Sequence, residues 1–171
     1  MSNPAIEDLK RTFTERLEAL ERILDVGSEH LPDINAALQE RLAPDMFPLG
    51  TQIAIVCNQP RGFSQWCAGL PIDNLGREVD TIEAARGHIR DTKALVAGIQ
   101  ANDAKLDEIK RIGLGPGRYC ELPGHRYVSD YLMPNLYFHI TTAYDILRHL
   151  GVPLSKTDFM WYLGPHIRTE G

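Results

Sequence analysis

No apolar run in the 171-residue chain approaches the ~20 residues needed to span a bilayer. The opening Met-Ser-Asn-Pro-Ala-Ile-Glu-Asp lacks the basic segment and apolar stretch of a secretory leader. The expected location is therefore the cytoplasm, with no membrane partner. Cysteine is scarce: Cys57, Cys67 and Cys120 are an odd set without a Cys-x-x-Cys pair, so neither a disulfide framework nor a thiolate zinc site is expected. Cationic excess is absent as well. Eighteen Lys and Arg against 23 Asp and Glu leave a formal charge of −5, without the basic footprint of a general nucleic-acid binder. No low-complexity segment or internal repeat is present, and the composition is that of an ordinary globular protein. One domain spanning 1–171, including an apolar tail over 152–171, is long enough to bury well over half of its unfolded surface and needs no disulfide or structural metal to fold.

What the chain does have is helical periodicity. Ile6, Leu9, Phe13, Leu17, Leu20 and Leu24 recur at steps of three and four, predicting a first helix capped by Asn3, with Pro4 at its first position and Gly27 as its stop. A second helix is predicted from about Pro48 to Ala68, burying Ile53, Val56, Cys57 and Cys67, with Pro60 kinking it. A third begins near Asp80, where Asp80 and Glu83 have capping-box spacing, and buries Ile82, Ala85, Ile89, Leu95, Val96 and Ile99. Ile109, Ile112, Tyr119 and Leu122 alternate loosely around Gly113-Leu114-Gly115-Pro116-Gly117, predicting a short β-hairpin. Gly113-x-Gly115 is turn chemistry rather than a dinucleotide fingerprint, because Pro116 follows and no helix does. The fourth helix spans about 126–150, bent by Pro134 and ended by Gly151 and Pro153. The fold class is all-α: an up-down four-helix bundle with a hairpin between helices three and four.

The informative feature is on helix four. Val128, Leu132, Asn135, His139, Thr142 and Ile146 share one stripe, and Asn135 and His139 stand one turn apart with side chains on the same face. Such a pair facing the interior fits a ligand pair or a polar pocket. The competing reading is a buried histidine hydrogen-bonded to Asn135 or to a partner on helix one or two. His30, His88, His125, His149 and His166 lack ligand spacing to His139 and read as surface or capping residues. A Cys57–His139–Asn135 nucleophile is a further reading that only geometry can decide. Tyr131, Tyr137, Phe138 and Tyr144 read as packing against the bundle or across a dimer, since no basic groove accompanies them.

The stretch from Pro134 to Leu154, Pro-Asn-Leu-Tyr-Phe-His-Ile-Thr-Thr-Ala-Tyr-Asp-Ile-Leu-Arg-His-Leu-Gly-Val-Pro-Leu, carries a resemblance, as does Arg41-Leu-Ala-Pro-Asp-Met-Phe-Pro-Leu49. Together they resemble the family called domain of unknown function nineteen-ninety-three, of the DinB/YfiT-like superfamily. The resemblance covers the chain from helix one to about Phe159 and implies a four-helix bundle. In characterised members of the superfamily it also implies a zinc or nickel ion held by three histidines, one on helix two and a His-x-x-x-His pair on helix four, and in some of them thiol-transfer chemistry. His139 falls on the second histidine of that pair and Asn135 on the first. The helix-two position falls between Ile55 and Asn58, where Cys57 and Asn58 are the nearest polar residues.

The resulting expectation is a homodimeric bundle with a degenerate metal centre. Its pocket residues are Asn135, His139, Thr142, Cys57 and Asn58, with His139 the one candidate ligand for a weakly bound divalent zinc or nickel ion. Three functions fit: a small-molecule-binding or stress-linked accessory protein, a metal-dependent thiol transferase or hydrolase using His139, and a structural dimerisation module.

Overall fold

The computed structural model describes residues 5–170; the expected cap and first position at Asn3 and Pro4 lie outside them. Four long helices, α1 (Ala5–His30), α2 (Leu49–Cys67), α3 (Ile82–Ala97) and α4 (Met133–His149), form the bundle. An antiparallel hairpin of β1 (Ile109–Gly113) and β2 (Tyr119–Pro123) sits between α3 and α4, with Ile112 opposite Cys120. Gly115 and Gly117 adopt positive φ at its tip, so the glycine-rich segment is a turn.

Side-chain pairings give the helix directions. Glu21 and Asp25 of α1 meet Lys93 and Arg86 of α3, so these two run antiparallel. Arg16 reaches Tyr137 while Gly27 meets Leu147, so α1 and α4 run parallel. Gln52 meets His139 while Phe63 stacks near Tyr127, so α4 runs back along α2. The four helices therefore run up, down, down, up, with the parallel pair α2 and α3 joined by the long connection over residues 68–81. α2 packs chiefly on α4 and α3, and α1 lies diagonally across from it. Two clusters fill the interior. One gathers Leu20, Ile53, Ile89 and Ile140 around the start of α2, and the other gathers Phe13, Phe63, Val96, Ile112 and Leu132 beneath the hairpin.

Two boundaries differ from the sequence expectation, each for a tertiary reason, and two side chains differ in burial. Gly27 does not stop α1; the helix continues to His30, and the missing side chain lets Leu147 pack against the backbone. Thr81, not Asp80, caps α3 by accepting from Ala84 N, while the Asp80 carboxylate takes a hydrogen bond from Gln39. Leu95 stays exposed and Cys67 is only half-buried. α2 includes Pro60 in one helix and ends within a residue of both expected limits.

Pro134 acts on the turn before it. A proline lacks the N–H for an i−4 bond, and its ring crowds that carbonyl. The chain is helical from Gly124 to His149, but Tyr127–Leu132 forms a wider π-turn, and Pro134 becomes an early residue of α4. The buried side of the helix is Leu132, Leu136, Ile140, Thr142, Ala143, Ile146 and Leu147, so Leu132, Thr142 and Ile146 lie as expected, whereas Asn135 and His139 lie beside it, half-buried.

The tail packs on its own bundle. Arg22 pairs with Asp158 and its guanidinium lies 4.5 Å from the Trp161 ring centroid, Arg16 lies 3.8 Å from that of Tyr162, and Phe159 packs edge-on to Tyr144. No helix among the described residues is long and apolar enough to cross a membrane.

Candidate functional site

Polar side chains on α2 build one wall of a cavity. Residues 68–81 form no helix or strand, so their backbone groups need partners from elsewhere. Asn58 supplies two: its Oδ1 accepts from Leu75 N at 2.8 Å and its Nδ2 donates to Leu75 O. Gln65 grips Asp73 N and O in the same way, Arg61 donates to Asp73 O and pairs with its carboxylate, and Thr51 donates to Arg77 O. At the start of α2 the chain passes too close for any side chain: a Cβ on Gly50 would stand 2.5 Å from Val79 O. The loop is thereby held against α2 although it has little core of its own.

Between this loop, the hairpin and α4 lies a cavity of about 510 Å³, within the size range of small-molecule sites. Ile55, Ile72, Leu75 and Ile112 supply apolar wall, and Tyr127 and Tyr131, with ring centroids 6.1 Å apart, supply flat aromatic wall. Asn135 and His139 face it from α4. A broader groove of about 890 Å³ runs between the ends of α2 and α3, past Ser64, Cys67, Leu95 and Ile99, and contains no histidine.

His139 is held by a relay. Its Nδ1 lies 2.6 Å from Gln52 Oε1, and Gln52 Nε2 donates to Phe47 O at 3.0 Å. With the amide nitrogen assigned to Phe47 O, the amide oxygen faces the imidazole and can only accept. The proton of the neutral ring therefore belongs on Nδ1, and Nε2 keeps a lone pair that has no partner among the described residues. Burial lowers the His139 pKa from its ordinary 6.5 to about 4, so the ring is neutral at physiological pH. It is a hydrogen-bond acceptor there and a weak base. The Asn135 side chain, one turn away and half-buried, makes no hydrogen bond with another described residue. Two polar groups of α4 thus meet the cavity with unused hydrogen-bonding capacity.

The other expected pocket residues are placed differently. Asn58 lines the cavity, but its amide is committed to Leu75. Thr142 is buried away from the cavity and donates to Phe138 O. Cys57 is wholly buried in the core, hydrogen-bonded to Thr92, and burial pushes its thiol up to about 12. Its thiol stays protonated and does not line the cavity with His139, so the geometry rules out a Cys57–His139–Asn135 nucleophile. Gln52 was not singled out in the sequence, although it stands three residues after Leu49 and four before Val56, a polar residue at an apolar-stripe position.

The donor set does not fit a resident zinc or nickel centre. One imidazole and four amides, those of Asn58, Gln59, Asn74 and Asn135, line the cavity, and among the described residues no three His, Cys, Asp or Glu side chains converge. Neutral amides are poor ligands for these metals compared with imidazole or thiolate.

Fold and cavity together define a DinB-like helical bundle with a polar seam between α2 and α4. The crystal structure of a DinB family member from Shewanella denitrificans superposes with a TM-score of 0.77 at 30% identity, covering 88% of each chain. The model of a domain of unknown function, DUF1993, matches residues 9–160, and the chain belongs to that family. Among curated proteins none matches.

His139 is expected to titrate with a midpoint near 4, read from its ring-proton shift by NMR. The unfolded chain, with the ordinary value of 6.5, binds this proton more readily than the folded one. The stabilisation linked to His139 is therefore complete above about pH 6.5 and is lost as pH falls toward 4. A midpoint at or above 6.5 would contradict the burial argument.

Proposed function

We propose that this DUF1993 protein is a cytoplasmic small-molecule-binding protein, an accessory rather than a metalloenzyme, with its ligand in the cavity between α2 and α4. The observation that carries this reading is a pair of groups on α4 without a hydrogen-bond partner among the described residues, His139 Nε2 and the Asn135 amide, beside flat aromatic wall. Ordinary core packing pairs such groups within the protein. Here they are left for a ligand or for water. The free state of all three cysteines suits a reducing compartment. The reading retains a two-fold dimer, for which Phe138, Leu163 and Ile167 remain exposed.

The test is His139→Ala, with 2-naphthol as probe because its hydroxyl can donate to Nε2. The variant is expected to cost less than about 2 kcal/mol by denaturant midpoint, because water can enter the cavity and satisfy Gln52. It should also abolish the NMR shifts that 2-naphthol produces at Asn135 and Tyr131. A loss above ~2 kcal/mol, the lower edge of the range for buried large-to-small changes, without any effect on the probe would make His139 a sealed core residue. Protein purified without a histidine tag is expected to carry less than one equivalent of zinc or nickel by elemental analysis. Stoichiometric metal surviving dialysis against a chelator would restore the metalloenzyme reading.

A further inference from the structure

The cavity wall has a charge pattern opposite to that of the whole chain. Against a net charge of −5, it carries Arg77, Lys110 and Arg111 and not one Asp or Glu among its described lining residues. Elsewhere the half-buried cations Lys10, Arg16, Arg22, Arg61, Lys93 and Lys105 each stand within 4.0 Å of a carboxylate, and those without such a pair, Arg41, Arg118, Arg148, Lys156 and Arg168, are exposed. None of the three lining cations forms such a pair within the described residues. Their other contacts are with rings instead. Arg77 lies 5.0 Å from the centroid of Phe47 and Arg111 lies 3.5 Å from that of Tyr119.

Lys110 is the most sheltered of the three. Strand alternation puts it on the same face of β1 as the buried Ile112 and opposite to Arg111. It is half-buried, with its ammonium 5.8 Å from the Tyr127 ring centroid and 6.0 Å from that of Trp66. The neighbouring Lys105 has Glu108 at 2.6 Å, but Lys110 has no such partner. Burial, followed by repulsion from Lys105, lowers the Lys110 pKa. A charge in this position is costly to the free protein and would be relieved by an incoming anion.

We propose that the cavity binds an aromatic carboxylate, its carboxylate at Lys110 and its ring system against Tyr127, Tyr131 and Ile112. One sheltered ammonium matches one unit of negative charge, and the flat and aliphatic walls match an apolar body. Asn135 and His139 then read a polar substituent at the opposite side of the ligand, Nε2 as acceptor and the amide as donor or acceptor. The proposal rests on the small-molecule-binding reading above and adds the sign of the ligand's charge and the residue that selects it.

Two probes of nearly the same shape separate the two levels: 2-naphthoate and 2-naphthamide, titrated into the intact protein and followed by amide NMR shifts. Binding of 2-naphthoate is expected to shift Ile112, Tyr131 and Asn135, and to be at least about tenfold tighter than that of 2-naphthamide, the low end for a charge-assisted hydrogen bond. In Lys110→Met and Lys110→Gln the two affinities should converge. Equal affinity of both probes in the wild-type cavity would overturn the anion preference and leave the binding reading standing. Shifts absent from the cavity residues for both probes would overturn both. A preference that survives both Lys110 variants would overturn the assignment of Lys110. The wild-type comparison of the two probes stands on its own should either variant fail to fold.

Discussion

Gln52 is buried in the seam between α2 and α4, and two contacts decide what its amide does. A buried amide is costly unless both its ends find partners. Phe47 O takes the nitrogen, which leaves the oxygen for His139 Nδ1. An oxygen can only accept, so the proton on the ring is fixed, and with it the lone pair that Nε2 turns to the cavity. The antiparallel packing of α2 on α4 thus converts a local hydrogen-bonding requirement into the chemical character of a site. Burial then keeps the ring uncharged, which makes His139 an acceptor rather than an acid or a strong base.

The second constraint is the loop over residues 68–81. Without regular structure it would be mobile and open the cavity to solvent, but Thr51, Asn58, Arg61 and Gln65 tie its backbone to one face of α2. These side chains are polar residues on a largely buried helix, and their partners are main-chain atoms whose positions do not depend on the loop's own side chains. The cavity walls are therefore set by a helix, a pinned loop and a hairpin, while the cavity's charge comes from the hairpin and the loop. The same separation distinguishes this chain from a three-histidine bundle. The scaffold is that of the bundle, yet the neutral donors that line the cavity are amides and a single imidazole.

The bundle was legible because it rests on periodicity. Leu17, Leu20 and Leu24 announce α1, and glycines at 113, 115 and 117 announce the hairpin turn, without reference to the rest of the chain. Two errors share one cause, which is that a tertiary contact decided between locally equivalent choices. Asp80 and Thr81 are both good caps, and Gln39 drew Asp80 away. Gly27 is a good stop, but it serves as the seat of Leu147. On helix four Leu132, Thr142 and Ile146 are buried as expected, but Leu136 and Ile140, one position on from Asn135 and His139, hold the centre of the stripe; both sets have helical spacing, so the pattern alone does not choose between them. At the site, His139 and Asn135 could be named from the chain, but Gln52 lies 87 residues from His139 and became visible only with the register of α2 on α4. Lys110 was one of several hairpin residues until the fold showed that it has no carboxylate and borders a cavity.

The central claim is that Gln52 dictates the proton position on His139, and nitrogen-15 shifts of the His139 ring in the wild type and in Gln52→Leu measure it directly. The account requires a protonated, pyrrole-like Nδ1 and an unprotonated, pyridine-like Nε2 in the wild type at pH 7, with this tautomer losing its dominance in Gln52→Leu. A wild-type ring protonated on Nε2, or a tautomer unchanged by Gln52→Leu, would contradict it.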